Sequence, residues 1–311
     1  MAGRDSRADI LDDDPFRNQK PHIHRVHAQQ SQDGTIHFET GANTRANPLF
    51  AQMMGFAQQQ PAQMHKGKIW HFSGEEKKHL RLATTAFTVA LGFMAVGGIW
   101  GIQDNGFAPW FIQLFLSMPV LLLAVGPAFL LHEIGHKIIA KKNGCWAEFR
   151  ADPGGLRFGI FISFFTGILF MAPGAVMVAG LVTRRQNGHI AIAGPLVNFG
   201  LFLIGIPLWG VILGLTGAFD ADIQGASYIV GGQLIWQKML IDAGIFWIGA
   251  NLVLGLFNML PFGPLDGNKV KDWNENAFYA TISVFALLVI SWIFLGIWSP
   301  TGILGSIASL F

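Results

Sequence analysis

The sequence has little cysteine and little charge. Its single cysteine, Cys145, excludes an intramolecular disulfide, and no histidine lies beside it to activate a nucleophile, so we interpret it as a loop packing residue. Only 13% of the 311 residues are charged, whereas 51% are hydrophobic. With its positive mean hydropathy, this composition excludes an ordinary soluble domain and predicts a chain that lies mostly within a bilayer.

The N-terminal 65 residues lack a sustained apolar period and lack the early apolar core of a signal peptide. We therefore predict that residues 1–65 form a flexible tail. The histidines of Pro21–His27 could bind a metal, but no carboxylate or thiolate cage lies nearby, and a disordered His-rich tract is the preferred interpretation. The formal net charge of +2 is too small to indicate a nucleic-acid partner.

Long uncharged runs predict about five transmembrane helices. Ser73 is expected to cap the first of them, with Glu76 completing a capping box. Basic residues precede this helix and none follows it in the next turn, so the positive-inside rule places the N-terminus in the cytoplasm. The predicted runs are 82–102, 107–131, 190–219, 243–265 and 277–298. The apolar segment 299–311 is too short to cross a bilayer, and we predict a short C-terminal tail there.

A further apolar run, Phe158–Thr183, is as long as a span but is interrupted by glycine and proline. Basic residues at both of its ends indicate that it enters and leaves on the same side. We predict a re-entrant, partly extended segment with strand character at 158–164, and a short buried helix is the alternative. The predicted fold class is an all-α polytopic membrane protein with about five transmembrane helices and this small re-entrant segment.

The second apolar run ends in the sequence His132-Glu133-Ile134-Gly135-His136. On a helix the two histidines project from one face and can reach the same Zn²⁺, while Glu133 can hold a water on that metal and take its proton. This is the H-E-x-x-H signature of metalloproteases. The alternative is a polar helix end that emerges into headgroups, but ionisable groups in a membrane helix are costly and usually mark function.

A third metal ligand is predicted at Asp266. Two prolines and a glycine break the helix in the segment 258–267, which frees this carboxylate to turn towards a neighbour. Loop charges independently place Asp266 and the two histidines at the cytoplasmic side, and a full crossing at 158–183 would have separated them. A His, His, Asp set leaves the fourth position for water, as in catalytic zinc sites. The alternative is an ordinary helix-terminating Asp-Gly turn.

Together these motifs resemble the site-2 protease family of intramembrane zinc metalloproteases. The matches cover roughly 73 to the late two hundreds, and Ala172-Pro173-Gly174-Ala175-Val176 is also similar to compact archaeal-type members. The matching motifs are His132-Glu133-Ile134-Gly135-His136 for H-E-x-x-H, Ala193-Gly194-Pro195 with Asn198 for A-G-P-x-x-N, and Asn258, Pro261, Leu265, Asp266 and Gly267 for N-x-x-P-x-x-x-L-D-G.

The resemblance implies one zinc per chain on His132, His136 and Asp266, with Glu133 as base and cleavage of transmembrane helices near the cytoplasmic side. It implies a multi-pass protein of the cell membrane whose partners are transmembrane protein substrates and the lipid bilayer. The metalloprotease core would be 66–298. The loop after 219 is too short for the PDZ domain that many relatives carry, and the sixth helix of six-span relatives is missing or replaced by a stub.

Two asparagines complete the predicted site. Asn198 or Asn258 could donate a hydrogen bond to the oxyanion or to the substrate backbone, and equally either could only tie helices together. A substrate helix must unwind locally before cleavage, and the extended segment after Phe158 offers an edge for the unwound strand. The competing functions are a metal-handling transporter and a catalytically silent scaffold. The sequence shows no internal repeat, and it keeps Glu133.

Overall fold

The structure is a computed structural model that describes residues 27–30 and 36–39 by their backbone, and residues 68–171, 173–180, 182–219 and 227–311 with side chains. The chain divides into two units, Met1–Gln63 and Met64–Phe311. In the first unit, strands β1 (His27–Gln30) and β2 (Ile36–Glu39) pair antiparallel. The rest of the predicted His-rich tract, the residue Ala172 and the loop that holds Asp220 and Asp222 lie outside the described residues.

The second unit is built mainly of helices. They are α1 (Gly74–Ala95), a 3₁₀ turn (Gly98–Trp100), α2 (Gly101–Asn105), α3 (Phe107–Lys142), α4 (Pro153–Thr166), α5 (Arg184–Leu215), α6 (Trp236–Asn258), α7 (Asp266–Trp273), α8 (Glu275–Ile293) and α9 (Pro300–Ala308). The strands are β3 (Trp146–Ala151), β4 (Gly174–Ala179), β5 (Ile229–Val230) and β6 (Gln233–Leu234). β3 pairs with β4, and β5 pairs with β6.

Four helices, α3, α5, α6 and α8, are long and apolar enough to cross a membrane. A fifth span is present if α1 and the short helices that follow it are counted as one broken span, which bends by 49°. The second part of this broken span begins at Gly98, whose φ of 62° favours glycine and where a Cβ would lie 2.5 Å from the Phe164 carbonyl oxygen. The predicted all-α polytopic fold with about five spans is confirmed.

The start of α1 differs from the predicted capping box. Ser73 does cap the helix, because its Oγ accepts a hydrogen bond from the Glu76 backbone N–H at 3.1 Å. The Glu76 carboxylate does not return to Ser73. It accepts from the Phe149 N–H at 3.0 Å and pairs with Lys137, and all of these groups are buried. The second half of the predicted capping box is therefore wrong. The Glu76 carboxylate pairs instead with a buried cation, because a buried cation without a partner costs more than an unsatisfied N–H at a helix end.

The predicted re-entrant segment contains a helix where strand character was predicted. The helix α4 covers 158–164, because Asp152 caps it by accepting from the Gly154 N–H at 2.9 Å and Gly167, with φ of 68°, ends it. The strand prediction is wrong for these residues, and the alternative of a short helix is correct. The extended part lies further on, in β4, which pairs antiparallel with β3.

The helices that carry the predicted histidines and asparagines of the site pack closely. Helices α3, α5 and α6 contact one another along buried apolar faces, and α1 packs against α3. The predicted C-terminal tail holds α9, whose Leu304 is buried close to Gly244 of α6. Its Ile307 lies where a Cβ on Gly210 of α5 would come within 2.4 Å. Small residues therefore let α9 approach the backbones of both helices.

Candidate metal centre

The two histidines of the H-E-x-x-H motif lie one turn apart on α3 and point inward. Both are buried, with 2% of His132 and 7% of His136 exposed. Their Nε2 atoms are 3.0 Å apart, and their rings stand almost perpendicular to each other. The i, i+4 spacing thus brings both Nε2 atoms to one point, as the sequence analysis predicted.

The opposite ring nitrogens are held by oxygen acceptors from α5. His132 Nδ1 lies 2.6 Å from Asn198 Oδ1, and His136 Nδ1 lies 2.7 Å from the Ile190 carbonyl oxygen. A carbonyl oxygen can only accept, so each Nδ1 carries the ring proton. In a neutral ring with its proton on Nδ1, Nε2 presents a lone pair, and this is the tautomer that a metal ligand needs.

Asp266 brings a carboxylate to the same point. Its Oδ2 lies 3.4 Å from His132 Nε2 and 3.0 Å from His136 Nε2, while Oδ1 accepts a hydrogen bond from the Lys269 ammonium at 3.2 Å. The chain reaches this position because α6 ends at 258 and α7 begins at 266. Gly267 permits the close return, since a Cβ there would lie 2.1 Å from the Met259 carbonyl oxygen.

The arrangement of donors fits a zinc ion. Two imidazole Nε2 atoms and a carboxylate oxygen converge, and with both rings neutral these three acceptors would repel one another unless a cation lay between them. Zinc at about 2.0–2.1 Å from each ligand in tetrahedral geometry needs ligand atoms about 3.3 Å apart, and the observed separations are 3.0, 3.0 and 3.4 Å. A Cβ at Gly194 would come within 2.4 and 2.5 Å of the two Nε2 atoms, so the missing side chain leaves this space open.

Glu133 lies between the histidines and strand β4. Its carboxylate is buried and can bring an oxygen to within 4.8 Å of ligand nitrogens on both histidines. Its Oε2 accepts a hydrogen bond from the Val176 backbone N–H at 3.0 Å. The strand therefore fixes the direction of this carboxylate, which was not predictable from the motif alone.

The two predicted asparagines have different surroundings. Both amide hydrogens of Asn198 are engaged, one with the Ala128 carbonyl oxygen and one with Asn251 Oδ1, and the side chain is fully buried. Asn258 is half-buried and donates to the Leu254 carbonyl oxygen of its own helix at 3.0 Å. That is its only side-chain hydrogen bond among the described residues, so one amide hydrogen is left over.

Sequence reasoning missed four contributors to this centre. They are the amide of Asn251, the N–H of Val176, the space at Gly194 and the ammonium of Lys269. An asparagine in the middle of an apolar helix is itself a signal, because polar groups in membrane helices usually find a partner across a helix interface. The Val176 N–H leaves no comparable trace in the sequence. Gly194 belongs to the matched Ala193-Gly194-Pro195 motif, but the motif does not show that its missing side chain opens space at the histidines.

Comparison with known proteins identifies the family. The profile of peptidase family M50 matches residues 120–273, which include every predicted site residue. A protein of Methanocaldococcus jannaschii named as a zinc metalloprotease is 39% identical over 156 residues, which cover 50% of this chain and 70% of that protein. The chain belongs to peptidase family M50. This is the site-2 protease family, so the resemblance seen in the motifs is confirmed.

Other relatives of this M50 peptidase cover similar parts of the chain. A second protein of M. jannaschii named as a zinc metalloprotease is 30% identical over 151 residues, covering 49% of this chain and 33% of the relative. A Bacillus subtilis protein with a corresponding name is 29% identical over 163 residues, covering 50% of this chain and 68% of the relative. No solved structure matches the chain.

Proposed function

We propose that this M50 peptidase is an intramembrane zinc endopeptidase that hydrolyses peptide bonds in or near transmembrane helices of protein substrates. One zinc per chain would be held by His132, His136 and Asp266, with Glu133 as general base. The observation that carries the proposal is the convergence of two neutral imidazole lone pairs and a carboxylate on one buried point. The relatives named as zinc metalloproteases support the choice of metal.

The chemistry follows from the groups around this point. A bound zinc ion would polarise the scissile carbonyl and make a water more acidic. Glu133 would accept the proton of the attacking water and return it to the leaving amine nitrogen, as a general base and then a general acid. The Val176 N–H, which donates to Oε2, would keep this carboxylate aimed at the reacting atoms.

The asparagines divide between two roles. Asn258 has an unused amide hydrogen among its described contacts and is partly accessible, which suits a donor to the oxyanion or to the substrate backbone. Asn198 uses both amide hydrogens within the protein and offers its carbonyl to His132. We assign Asn198 to the orientation of that ligand and Asn258 to the substrate.

The β3–β4 sheet offers a place for an unwound substrate. The Phe149 N–H points to Glu76 on α1, and the Ala151 N–H points to His79 Nδ1, so α1 covers the outer edge of β3. Among the described residues β4 pairs only with β3, and its Val176 N–H points away from β3 towards Glu133. The open edge of β4 therefore faces the proposed base.

An extended peptide that pairs with this open edge would lie beside Glu133 and the metal ligands. Main-chain pairing would supply affinity without regard to side chains, and it would hold the scissile peptide in an extended form. A helical peptide hides its carbonyls in internal hydrogen bonds, so the edge would also replace the bonds that unwinding breaks. This makes β4 the proposed substrate-binding strand.

The proposal is tested by replacing the base while the ligands stay intact. Glu133→Gln should retain zinc but lower the cleavage of a model transmembrane substrate by about 10²–10⁴-fold or more, because the amide cannot take a proton. Zinc content and cleavage should be measured on the same preparation. Cleavage at the wild-type rate would remove Glu133 from its role, and a wild-type protein that binds zinc without cleaving would point to the silent scaffold.

A further inference from the structure

We infer that Asn251, in the middle of α6, positions the ligand His132 by fixing the orientation of Asn198. The Asn251 Nδ2 donates to the Trp247 carbonyl oxygen at 2.8 Å, and its Oδ1 accepts from Asn198 Nδ2 at 3.0 Å. The Asn198 Oδ1 then faces His132 Nδ1 at 2.6 Å. We call Asn251 and Asn198 together the asparagine chain.

The asparagine chain has a fixed direction. The Trp247 carbonyl oxygen can only accept, so Asn251 must turn its amine end to it and its oxygen to Asn198. The Asn251 oxygen and the Ala128 carbonyl oxygen are both acceptors, so the amine end of Asn198 must face them. The oxygen of Asn198 is left for His132, and this sets the proton on Nδ1.

The opposite orientation of Asn198 would be harmful to metal binding. With its amine end towards His132, the ring would have to present a lone pair at Nδ1 and carry its proton on Nε2. A protonated Nε2 cannot bind a metal ion. Asn251 would therefore protect the metal-binding tautomer from a distance, since the metal-facing Nε2 and the amide of Asn251 are separated by two side chains.

Burial makes this control strong. Asn198 and Asn251 are both fully buried, on two different apolar helices that pack together. A buried amide without partners is costly, so the two amides of the asparagine chain have little freedom to turn over. An intramembrane amide pair could also serve only to join helices. Here the amide pair continues to Nδ1 of the proposed ligand His132, and this distinguishes it from a pair that only joins helices.

The test measures metal binding, because the inference rests on the proposed metal site and not on catalysis. Asn251→Leu keeps the volume and removes the acceptor, and it should weaken zinc binding by about ten-fold or more, as losses around metal ligands do. Asn251→Asp keeps an acceptor oxygen and should stay closer to the wild type. Ser117→Ala is the matched control, since Ser117 is equally buried and, among the described residues, its hydroxyl bonds only to the Gln113 carbonyl oxygen of its own helix.

A double-mutant cycle separates positioning from packing. In an Asn198→Ala background, Asn251→Leu should weaken zinc binding no further, because its route to His132 is already lost. The visible spectrum of the cobalt-substituted protein should change alike in Asn198→Ala and Asn251→Leu, and it should be unchanged in Ser117→Ala.

The outcomes distinguish this inference from the proposed function. Wild-type zinc affinity in Asn251→Leu, or losses that add in the double variant, would show that Asn251 acts only by packing. If the leucine variant does not fold, weakened zinc binding in Asn251→Asp equal to that in Asn198→Ala would also overturn the inference. A wild-type protein that binds no zinc would instead overturn the proposed metal site itself.

Discussion

Single atoms decide whether the buried histidine pair can hold a metal. The two Nε2 atoms present lone pairs only because carbonyl oxygens hold both Nδ1 protons. One of these oxygens comes from a side chain, Asn198, and the other from the backbone at Ile190. A substitution can therefore disturb one ligand through its partner, whereas the other is fixed by helix α5 itself.

The absence of a side chain at Gly194 is predicted to be essential. Gly194→Ala would place a methyl group 2.4 to 2.5 Å from both Nε2 atoms, in the space that the metal would occupy. We expect zinc affinity to fall by about ten-fold or more, by comparison with losses around other metal sites.

The matched control for Gly194→Ala lies on the same helix. Gly200→Ala meets no atom within 4 Å, and alanine is the better helix former, so zinc binding should be unchanged. Both variants should be titrated with zinc against a competing chelator. Equal affinities would show that the space at Gly194 is not where the metal lies.

At the scale of residues, the sequence predicts contacts between side chains that share one motif. It does not predict contacts between side chains on different helices. The i, i+4 spacing is enough to bring His132 and His136 together, because helix geometry is regular. The contact between Asn198 and Asn251 depends on the packing of α5 against α6, which no local pattern encodes. Cys145, interpreted from the sequence as a loop packing residue, is buried in the loop before β3, and this burial raises the pKa of its thiol.

Among the elements, strand β4 carries a prediction about the substrate. Side-chain and backbone directions alternate along a strand, so the Val178 N–H shares the open edge with the Val176 N–H. Val178→Pro should remove one donor at that edge while the β3 ladder stays intact, because proline is tolerated at an edge. We expect slower cleavage of a transmembrane substrate and unchanged zinc binding. Val178→Ala is the control and should cleave as the wild type does.

The buried ion pair between α1 and α3 carries a prediction about stability. Lys137 and Glu76 are 2% and 0% exposed, and Lys137 also donates to the His71 carbonyl oxygen at 2.9 Å. Lys137→Met would leave the Glu76 carboxylate buried without its cation, which costs about 3–5 kcal/mol. Chemical unfolding in detergent should show this loss.

The double variant Lys137→Met with Glu76→Gln tests the origin of that loss. Glutamine keeps an acceptor for the Phe149 N–H and needs no cation, so the double variant should recover most of the stability. If both variants are equally unstable, the loss comes from the packing of the lysine stem and its contact with the Phe72 ring, not from the unpaired charge.

The ends of α4 explain why strand character was wrongly predicted for one part of the proposed re-entrant segment. β-branched and aromatic residues at 158–164 suit a strand, but they suit a lipid-facing helix equally, and Phe158 and Phe161 are indeed exposed. The signals that decide are at the ends, Asp152 before the helix and Gly167 after it. Propensity summed over seven residues cannot outweigh these caps and the need to satisfy the backbone internally.

For the whole molecule, the number of long apolar helices was predictable and the contacts between helices were not. Hydropathy alone marks long apolar runs, because a bilayer demands internally bonded helices of fixed length. The extra helix α9 was seen only as a short apolar stretch. Its packing against α5 and α6 depends on Gly210 and Gly244, which lie more than fifty residues earlier in the sequence.

The orientation of the whole chain in the membrane remains a proposal, and labelling can test it. We propose that the N-terminus and the metal centre face the cytoplasm and that α4 and β4 belong to one re-entrant segment. Single cysteines at three exposed positions, Pro153, Asn187 and Gln233, serve as probes. They should be introduced into a Cys145→Ser background, so that an impermeant thiol reagent reports only the new site.

The expected pattern follows from the loop charges. Cysteines at Pro153 and Asn187, which flank the re-entrant segment, should be labelled only from the cytoplasmic side, and the cysteine at Gln233 only from outside. Labelling of Pro153 and Asn187 from opposite sides would mean that the segment crosses the bilayer fully. Because Asp266 follows Asn187 by two further spans, a full crossing would place it across the membrane from His132, where a carboxylate 3.4 Å from His132 Nε2 could not exist. The labelling pattern therefore tests the orientation of the chain and the three-ligand centre together.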